Sequence, residues 1–287
     1  MTQILLSLGH GYSARALARR LLPQGWEVIG TTRDPAKMDG LRATGITPIL
    51  WEKDAIEAAL LRATHLLISA APGEDGDPAL QLAHDAIAQR APHLDWAGYL
   101  STTGVYGDAD GAWIDETAPL APTGARGQAR VEAEAAWSAI PDLPMHIFRL
   151  AGIYGPGRGP FAKVRAGRAQ RIVKPGQVFS RIHVEDIARA LHASIEAPDP
   201  GAVYNLCDDE PAPPQDVIAH AAKLLGLPVP PEVPFAEAEM SDMARSFYAD
   251  NKRVSNAKIK GDLDFRLLYP DYRAGLAALL KGEDGAP

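Results

Sequence analysis

Apolar and polar positions in the first half of the chain fall into two alternating patterns. Short, nearly continuous apolar runs occupy 4–8, 27–32, 46–50, 65–69, the stretch ending at Tyr99-Leu100-Ser101, and 145–150. Runs of this length predict strands buried on both faces. Between them, apolar residues return at helical spacing over 15–22, 35–43, 54–61, 78–90 and 124–140. Such alternation predicts a parallel sheet covered by helices on both sides. The turns leaving the carboxyl ends of these strands share one crevice in such sheets. The turns after Leu8, Ile29, Ile68, Leu100 and Leu150 are therefore expected to face a single cleft.

The second half is less regular. Glycine and proline crowd 155–160, and a helix pattern at 184–196 precedes a strand at 202–206. Pro211, Pro213 and Pro214 break the chain before a helix at 215–225, and Pro228, Pro230, Pro231 and Pro234 mark a second break. The expected division is a sheet-bearing lobe at 1–155 and a smaller C-terminal, substrate-side lobe at 156–287. About 178–206 of the latter is expected to return to the sheet.

The first strand hands over to the first helix through Gly9-His10-Gly11-Tyr12-Ser13-Ala14. Gly9 permits the tight turn, Gly11 leaves room for a pyrophosphate against the backbone, and Ala14 lets the helix pack on the strand. The helix then offers free N–H groups and a partial positive charge to the phosphates. This order predicts a Rossmann-type, doubly wound α/β fold with a dinucleotide held by Gly9, His10, Gly11, Tyr12 and Ser13. The plain alternative is a strand–helix turn that uses glycine for geometry alone. An acid that would hold ribose hydroxyls is missing at the end of the second strand, which reads Thr31-Thr32-Arg33. Asp34 is placed to cap the next helix, and Arg33 can pair with a 2′-phosphate. NADP is therefore expected ahead of NAD, with Thr32 and Arg33 beside its ribose. Ser69, Ala70 and Ala71 are small enough for the adenosine half to lie against the chain, or form a simple loop.

Tyr99-Leu100-Ser101-Thr102-Thr103-Gly104-Val105-Tyr106-Gly107 resembles the Ser-Ser-x-x-Val-Tyr-Gly segment of extended short-chain dehydrogenases/reductases. That group contains nucleotide-sugar epimerases and dehydratases. Arg149-Leu150-Ala151-Gly152-Ile153-Tyr154-Gly155-Pro156 is similar to the group's Arg-Leu-x-x-x-Tyr-Gly-Pro segment, and Ile182-His183-Val184-Glu185-Asp186-Ile187-Ala188 to its His-Val-x-Asp-x-Ala segment. The resemblance implies a hydroxyl that holds the substrate oxygen, then a Tyr-x-x-x-Lys pair whose tyrosine moves the proton. Thr102 falls on the hydroxyl position. In the window for the pair the chain reads Pro122-Thr123-Gly124-Ala125-Arg126-Gly127-Gln128-Ala129-Arg130. The spacing survives as Arg126 and Arg130, and the tyrosine does not. Arginine stays protonated in proteins, so Arg126 cannot exchange a proton as tyrosine does. It can bind an anion, and Arg130 can donate to a ribose. Tyr106, Tyr154 and His183 are the other proton carriers near the expected cleft. Tyr106 reads equally as a packed wall, and His183 as a buried imidazole before a helix.

The remaining composition narrows the partners. Net charge is −7, against nucleic acid, yet 158–181 holds Arg158, Lys163, Arg165, Arg168, Arg171, Lys174 and Arg181 with no acid. That segment reads as a hold for an anionic small substrate or as a solvated face. Asp208-Asp209-Glu210 reads as a solvated turn. Cys207 is the lone cysteine, which excludes an intramolecular disulfide and suits a reducing, cytoplasmic setting. No metal-ligand spacing, leader or membrane-spanning stretch is apparent. The helices at 78–90 and 124–140 are candidates for homodimer packing. Two functions follow from the resemblance and its altered centre: an NAD(P)-binding oxidoreductase or epimerase-like enzyme acting on a sugar-nucleotide-like or other small anion, or an NADP-binding sensor or scaffold without catalysis.

Overall fold

Seven apolar runs do form one sheet, and alternate side chains in each serve different cores. The computed structural model describes residues 2–284. Its sheet strands are β1 (Ile4–Leu8), β2 (Glu27–Thr32), β3 (Thr47–Leu50), β4 (His65–Ile68), β5 (Trp96–Thr102), β6 (Met145–Leu150) and β7 (Val203–Leu206). All pairings are parallel, in the order β7-β6-β5-β4-β1-β2-β3. This is the doubly wound arrangement expected from the sequence. The order reverses at β1, between β2 and β4, where such sheets open a ligand crevice.

In β1, Leu5 faces one side while Leu6 and Leu8 face the other. The Leu5 side is covered by α1 (Tyr12–Leu21), α2 (Met38–Ala43) and a later helix, Val184–Glu196. The Leu6 side is covered by α3 (Lys53–Leu60), α4 (Pro78–Arg90) and α5 (Ala125–Ser138), which bury Ile56, Ile87 and Trp137. A strand buried on both faces has no polar position to spare, which explains the unbroken apolar runs. β7 is an edge strand, and its outward groups are covered by side chains: the Lys258 ammonium donates to Val203 O at 3.0 Å, and Glu116 accepts from Asn205 N at 2.7 Å. Covering an edge in this way blocks pairing with another chain.

A third apolar cluster includes Tyr154, Phe161, Val217, Ala221 and Leu276. The chain around it is tied together through two-stranded parallel pairs, such as Gly152–Tyr154 with Arg181–His183. A further tie is Asp186, whose carboxylate accepts from the amides of Leu268 at 2.6 Å and Tyr269 at 2.9 Å. The helix Tyr272–Asp284 was not expected from the sequence. Gly275 lies within it, and a Cβ at this position would overlap the Tyr154 ring, so close packing demands glycine. Among the described residues no helix is long and apolar enough to cross a membrane.

Candidate functional site

The turn after β1 is locked by the strands on both sides of it. Gly9 adopts φ +83°, and a Cβ there would lie 2.6 Å from Ala70 N. Its amide donates to Thr31 Oγ1 at 2.7 Å, and its carbonyl accepts from the Ser69 hydroxyl. Ser69 and Ala70 thus brace the turn directly, whereas Ala71 lies farther along the same loop. Gly11 differs: it is exposed, and a Cβ there would meet nothing nearer than Gly9 O at 3.7 Å. Gly11 is also the N-cap of α1 and supplies no side-chain cap. The first amides of the helix therefore have no intrahelical partner. Ser13 and Ala14 are buried under that first turn. Such an uncapped end behind an open backbone has the geometry and charge to take a pyrophosphate.

Tyr12 is half-buried, and its phenol donates to Pro156 O at 3.0 Å while Arg158 lies 5.8 Å from its ring centre. The loop after Tyr154 thereby reaches over the start of α1. At the end of β2, Thr32 Oγ1 accepts from Asp34 N at 3.1 Å, and the Asp34 carboxylate accepts from Ala36 N at 3.0 Å. Asp34 is turned into its own cap. Arg33 is exposed and lies 5.4 Å from the Trp51 ring centre. His10 is buried, and neither ring nitrogen has a hydrogen-bond partner among the described residues.

Farther along the crevice, Thr102 ends β5 and caps the turn that follows, its Oγ1 accepting from Gly104 N at 3.1 Å. Arg126 is exposed on the first turn of α5 and has no polar partner among the described residues. Arg130, one turn later, points to the sheet instead. It donates to Leu100 O at 2.6 Å and Tyr99 Oη at 3.1 Å, so the expected ribose donor is engaged by β5. Tyr106 is likewise engaged. Its phenol donates to Asn205 Oδ1 at 2.8 Å and accepts from Arg149 Nη1 at 2.9 Å, and burial raises its pKa against those two bonds. Arg149 is held in turn by Glu134, with Nη2 to Oε2 at 2.7 Å, and Ser101 donates to the same carboxylate. This buried network of Ser101, Glu134, Arg149, Tyr106 and Asn205 was missed in the sequence. Two signals pointed to it. The Arg126/Arg130 spacing continues to Glu134, and Arg149 is a cation inside a fully buried strand, which requires a partner.

Two other expectations change, and His183 takes the plainer of its two readings. Asp208 is 1 % exposed rather than solvated: its amide donates to Arg181 O at 2.6 Å, which draws the carboxylate inward. The basic segment is largely engaged by neighbouring carbonyls and one carboxylate. Arg171 pairs with Glu232, Lys174 donates to Tyr248 O, and Arg181 donates to Phe179 O and Ala212 O. His183 is a buried cap, its Nδ1 accepting from Glu185 N at 3.2 Å, and Tyr154 donates to Asp271 O at 3.4 Å. Among the described residues no group of three metal-ligating side chains occurs.

These burials set a pH dependence. Burial pushes His10, His65 and His183 down to about 4. Unfolded imidazoles bind protons near pH 6.5, so stability should fall as pH drops from there towards 4. Asp208 acts in the opposite sense: burial raises it from 3.8 to about 8, so stability should fall as pH rises between those values. Urea midpoints at pH 4.5, 6.5 and 8 should peak at the middle value. Asp208→Asn should flatten the alkaline limb and make the acid limb steeper, since the stabilisation that Asp208 gains on acidification is then lost.

Comparison with known proteins agrees with this geometry. The profile of the NAD dependent epimerase/dehydratase family matches residues 5–207. Protein YeeZ of Escherichia coli (strain K12) is 30% identical over 281 residues, covering 92% of this chain and 95% of YeeZ. A conserved protein of unknown function from Silicibacter pomeroyi DSS shares the structure at a TM-score of 0.91 and 60% identity, over 99% of this chain and 100% of that one. The dTDP-glucose 4,6-dehydratase of Bacillus anthracis str. Ames, solved in complex with NAD, shares the fold at a TM-score of 0.81 and 17% identity, over 99% of this chain and 97% of that one. With the matched profile spanning the whole sheet, from β1 to just past β7, the chain belongs to the NAD dependent epimerase/dehydratase family.

Proposed function

We propose that the protein is an NADP-binding epimerase- or reductase-like enzyme with an altered reaction centre, acting on a small anionic, sugar-nucleotide-like substrate. The observation that carries this reading is an open, uncapped glycine turn at Gly9–Gly11 together with an exposed, unpaired Arg126 on the first turn of α5. The cradle supports a dinucleotide. The end of β2 carries Arg33, and the carboxylate that follows it, Asp34, is engaged as the cap of the next turn, which supports NADP over NAD. The nicotinamide, when bound, supplies a hydride donor or acceptor. In the protein, the Thr102 hydroxyl would hold the reacting oxygen, and Arg126 would hold a substrate anion through its planar fork.

Titration with NADP and NAD tests the cradle, and turnover with a panel of sugar nucleotides tests the enzyme. Arg126→Ala is expected to raise KM about tenfold through loss of a charge-assisted bond. Cofactor affinity should stay within twofold. Tight NADP binding with no turnover on any substrate would remove the enzymatic claim.

A second reading has its own support. The phenols of Tyr12, Tyr99, Tyr106 and Tyr154 all have hydrogen-bond partners within the protein. A cofactor-binding sensor or scaffold needs no free phenol. It predicts that NADP alters association with a protein partner and that Thr102→Ala leaves this unchanged.

A further inference from the structure

The segment Gly155-Pro156-Gly157-Arg158 closes on itself. Gly155 N donates to Arg158 O and Arg158 N donates to Gly155 O, both at 2.9 Å. Pro156 presets the first central position of such a turn, and Gly157, at φ +69°, takes the second, where a positive φ favours glycine. Reciprocal bonds and a fixed proline make the turn stiff, so it moves as one piece. Its two ends are anchored in the third apolar cluster, by Tyr154 on one side and Phe161 on the other. Pro156, Gly157, Arg158 and Gly159 between them are exposed.

One side chain holds this turn against α1. The Tyr12 phenol donates to Pro156 O at 3.0 Å, and among the described residues this is the only hydrogen bond from 156–159 to the chain outside the turn. Gly155 packs so closely on that phenol that a Cβ would lie 2.5 Å from Tyr12 Oη and 2.6 Å from Val184 Cγ1. The Arg158 guanidinium lies 5.8 Å from the Tyr12 ring centre and has no ion pair or hydrogen bond among the described residues. One neutral hydrogen bond and one exposed cation–π contact hold weakly. The turn is therefore fastened in a way that is easily released.

Tyr12 is also the first residue of α1, directly after Gly11. Its amide is among those left without an intrahelical partner. The residue whose backbone belongs to the cradle thus uses its side chain to hold the turn. Gly11 leaves the cradle open. Arg158, carried on the turn, is a free cation near a helix end of positive partial charge, and both attract an oxyanion. We propose that the Gly155–Arg158 turn is a latch that gates exchange of the dinucleotide, with the Tyr12 phenol as its catch and Arg158 drawing it shut over a bound pyrophosphate. The proposal rests on the dinucleotide reading above. It gives a segment 145 residues from the glycine turn control over how fast the cofactor enters and leaves, apart from how tightly the cradle holds it.

The test is stopped-flow binding and displacement of NADPH and of NADH, followed by their fluorescence, with the full chain as native protein, Tyr12→Phe and Arg158→Ala. Tyr12→Phe deletes one oxygen and keeps the ring against Gly155, so the fold is retained. Its association and dissociation rates should both rise about fivefold, the worth of one hydrogen bond, with Kd unchanged within twofold. The factor should be the same for both dinucleotides, because they share the pyrophosphate. Arg158→Ala should weaken Kd for both by about tenfold, mostly through dissociation, and by less at high salt. Trypsin gives a second readout: cleavage after Arg158, located by mass, should be faster in Tyr12→Phe than in the native protein and slowed by NADP. Unchanged rates in Tyr12→Phe, or faster dissociation with unchanged association, would overturn the latch. So would a loss in Arg158→Ala confined to NADPH, or cleavage after Arg158 that NADP does not slow. If the native protein binds neither dinucleotide, the reading under Proposed function fails and the latch falls with it.

Discussion

Gly9→Val is expected to abolish dinucleotide binding and to destabilise the fold by about 2–4 kcal/mol. Two independent causes act together. The backbone at Gly9 has φ +83°, a conformation that a β-branched residue adopts only under strain. A Cβ would also lie 2.6 Å from Ala70 N and 2.9 Å from Ala70 Cα, and these are backbone atoms that cannot swing aside. Relief requires β1 and the loop after β4 to part, which breaks the bond from the Ser69 hydroxyl to Gly9 O. Gly11→Ala provides the contrast. Gly11 has φ −96°, and its added methyl would meet only Gly9 O, at ordinary contact distance. That variant should keep its urea midpoint and lose affinity alone, because the methyl points into the open space of the cradle. Urea denaturation and calorimetric titration of both variants separate the two effects. Wild-type affinity in Gly9→Val would show that the turn is not the cofactor cradle.

The contrast between these glycines marks how much of the protein is legible in its sequence. Periodicity located every strand of the sheet, because all but the edge strand β3 are largely buried on both faces and carry an almost unbroken apolar run. The glycine turn was legible because chain geometry there leaves few alternatives. The side chains of the reaction centre were less so. Arg130 keeps its helical spacing relative to Arg126, yet it bonds Leu100 O rather than facing the crevice. Spacing fixes a helix face, and the competition between a strand carbonyl and a ligand is decided by distances the sequence does not contain. Asp208 was misread for a similar reason. Three consecutive acids suggest solvent, but the chain direction after β7 is set by the pairing of Asp208 N with Arg181 O, 27 residues earlier in the sequence.

Glu134→Ala is the second substitution with a large expected effect, and its consequences reach the reaction centre. Glu134 and Arg149 are both buried, at 4% and 5% exposure, and joined through Nη2–Oε2 at 2.7 Å and a second contact from Nε at 3.2 Å. Removing the carboxylate leaves a guanidinium in the core without its counter-charge, which destabilises by about 3–5 kcal/mol. It also removes the acceptor for Ser101, next to Thr102 on β5. Glu134→Gln keeps the volume and part of the hydrogen bonding, so its loss should be smaller. Replacing the pair together, Glu134→Leu with Arg149→Met, should cost less than Glu134→Ala alone, because no charge is then left unpaired. The cost should not vanish, since the Tyr106 phenol loses its donor from Arg149 and keeps only the bond to Asn205. Urea midpoints for the three variants give the order Glu134→Ala least stable, with the double replacement and Glu134→Gln above it. A double replacement as unstable as Glu134→Ala would mean that shape and hydrogen bonds, rather than the unpaired charge, set the stability of this core and the position of the turn carrying Thr102 and Tyr106.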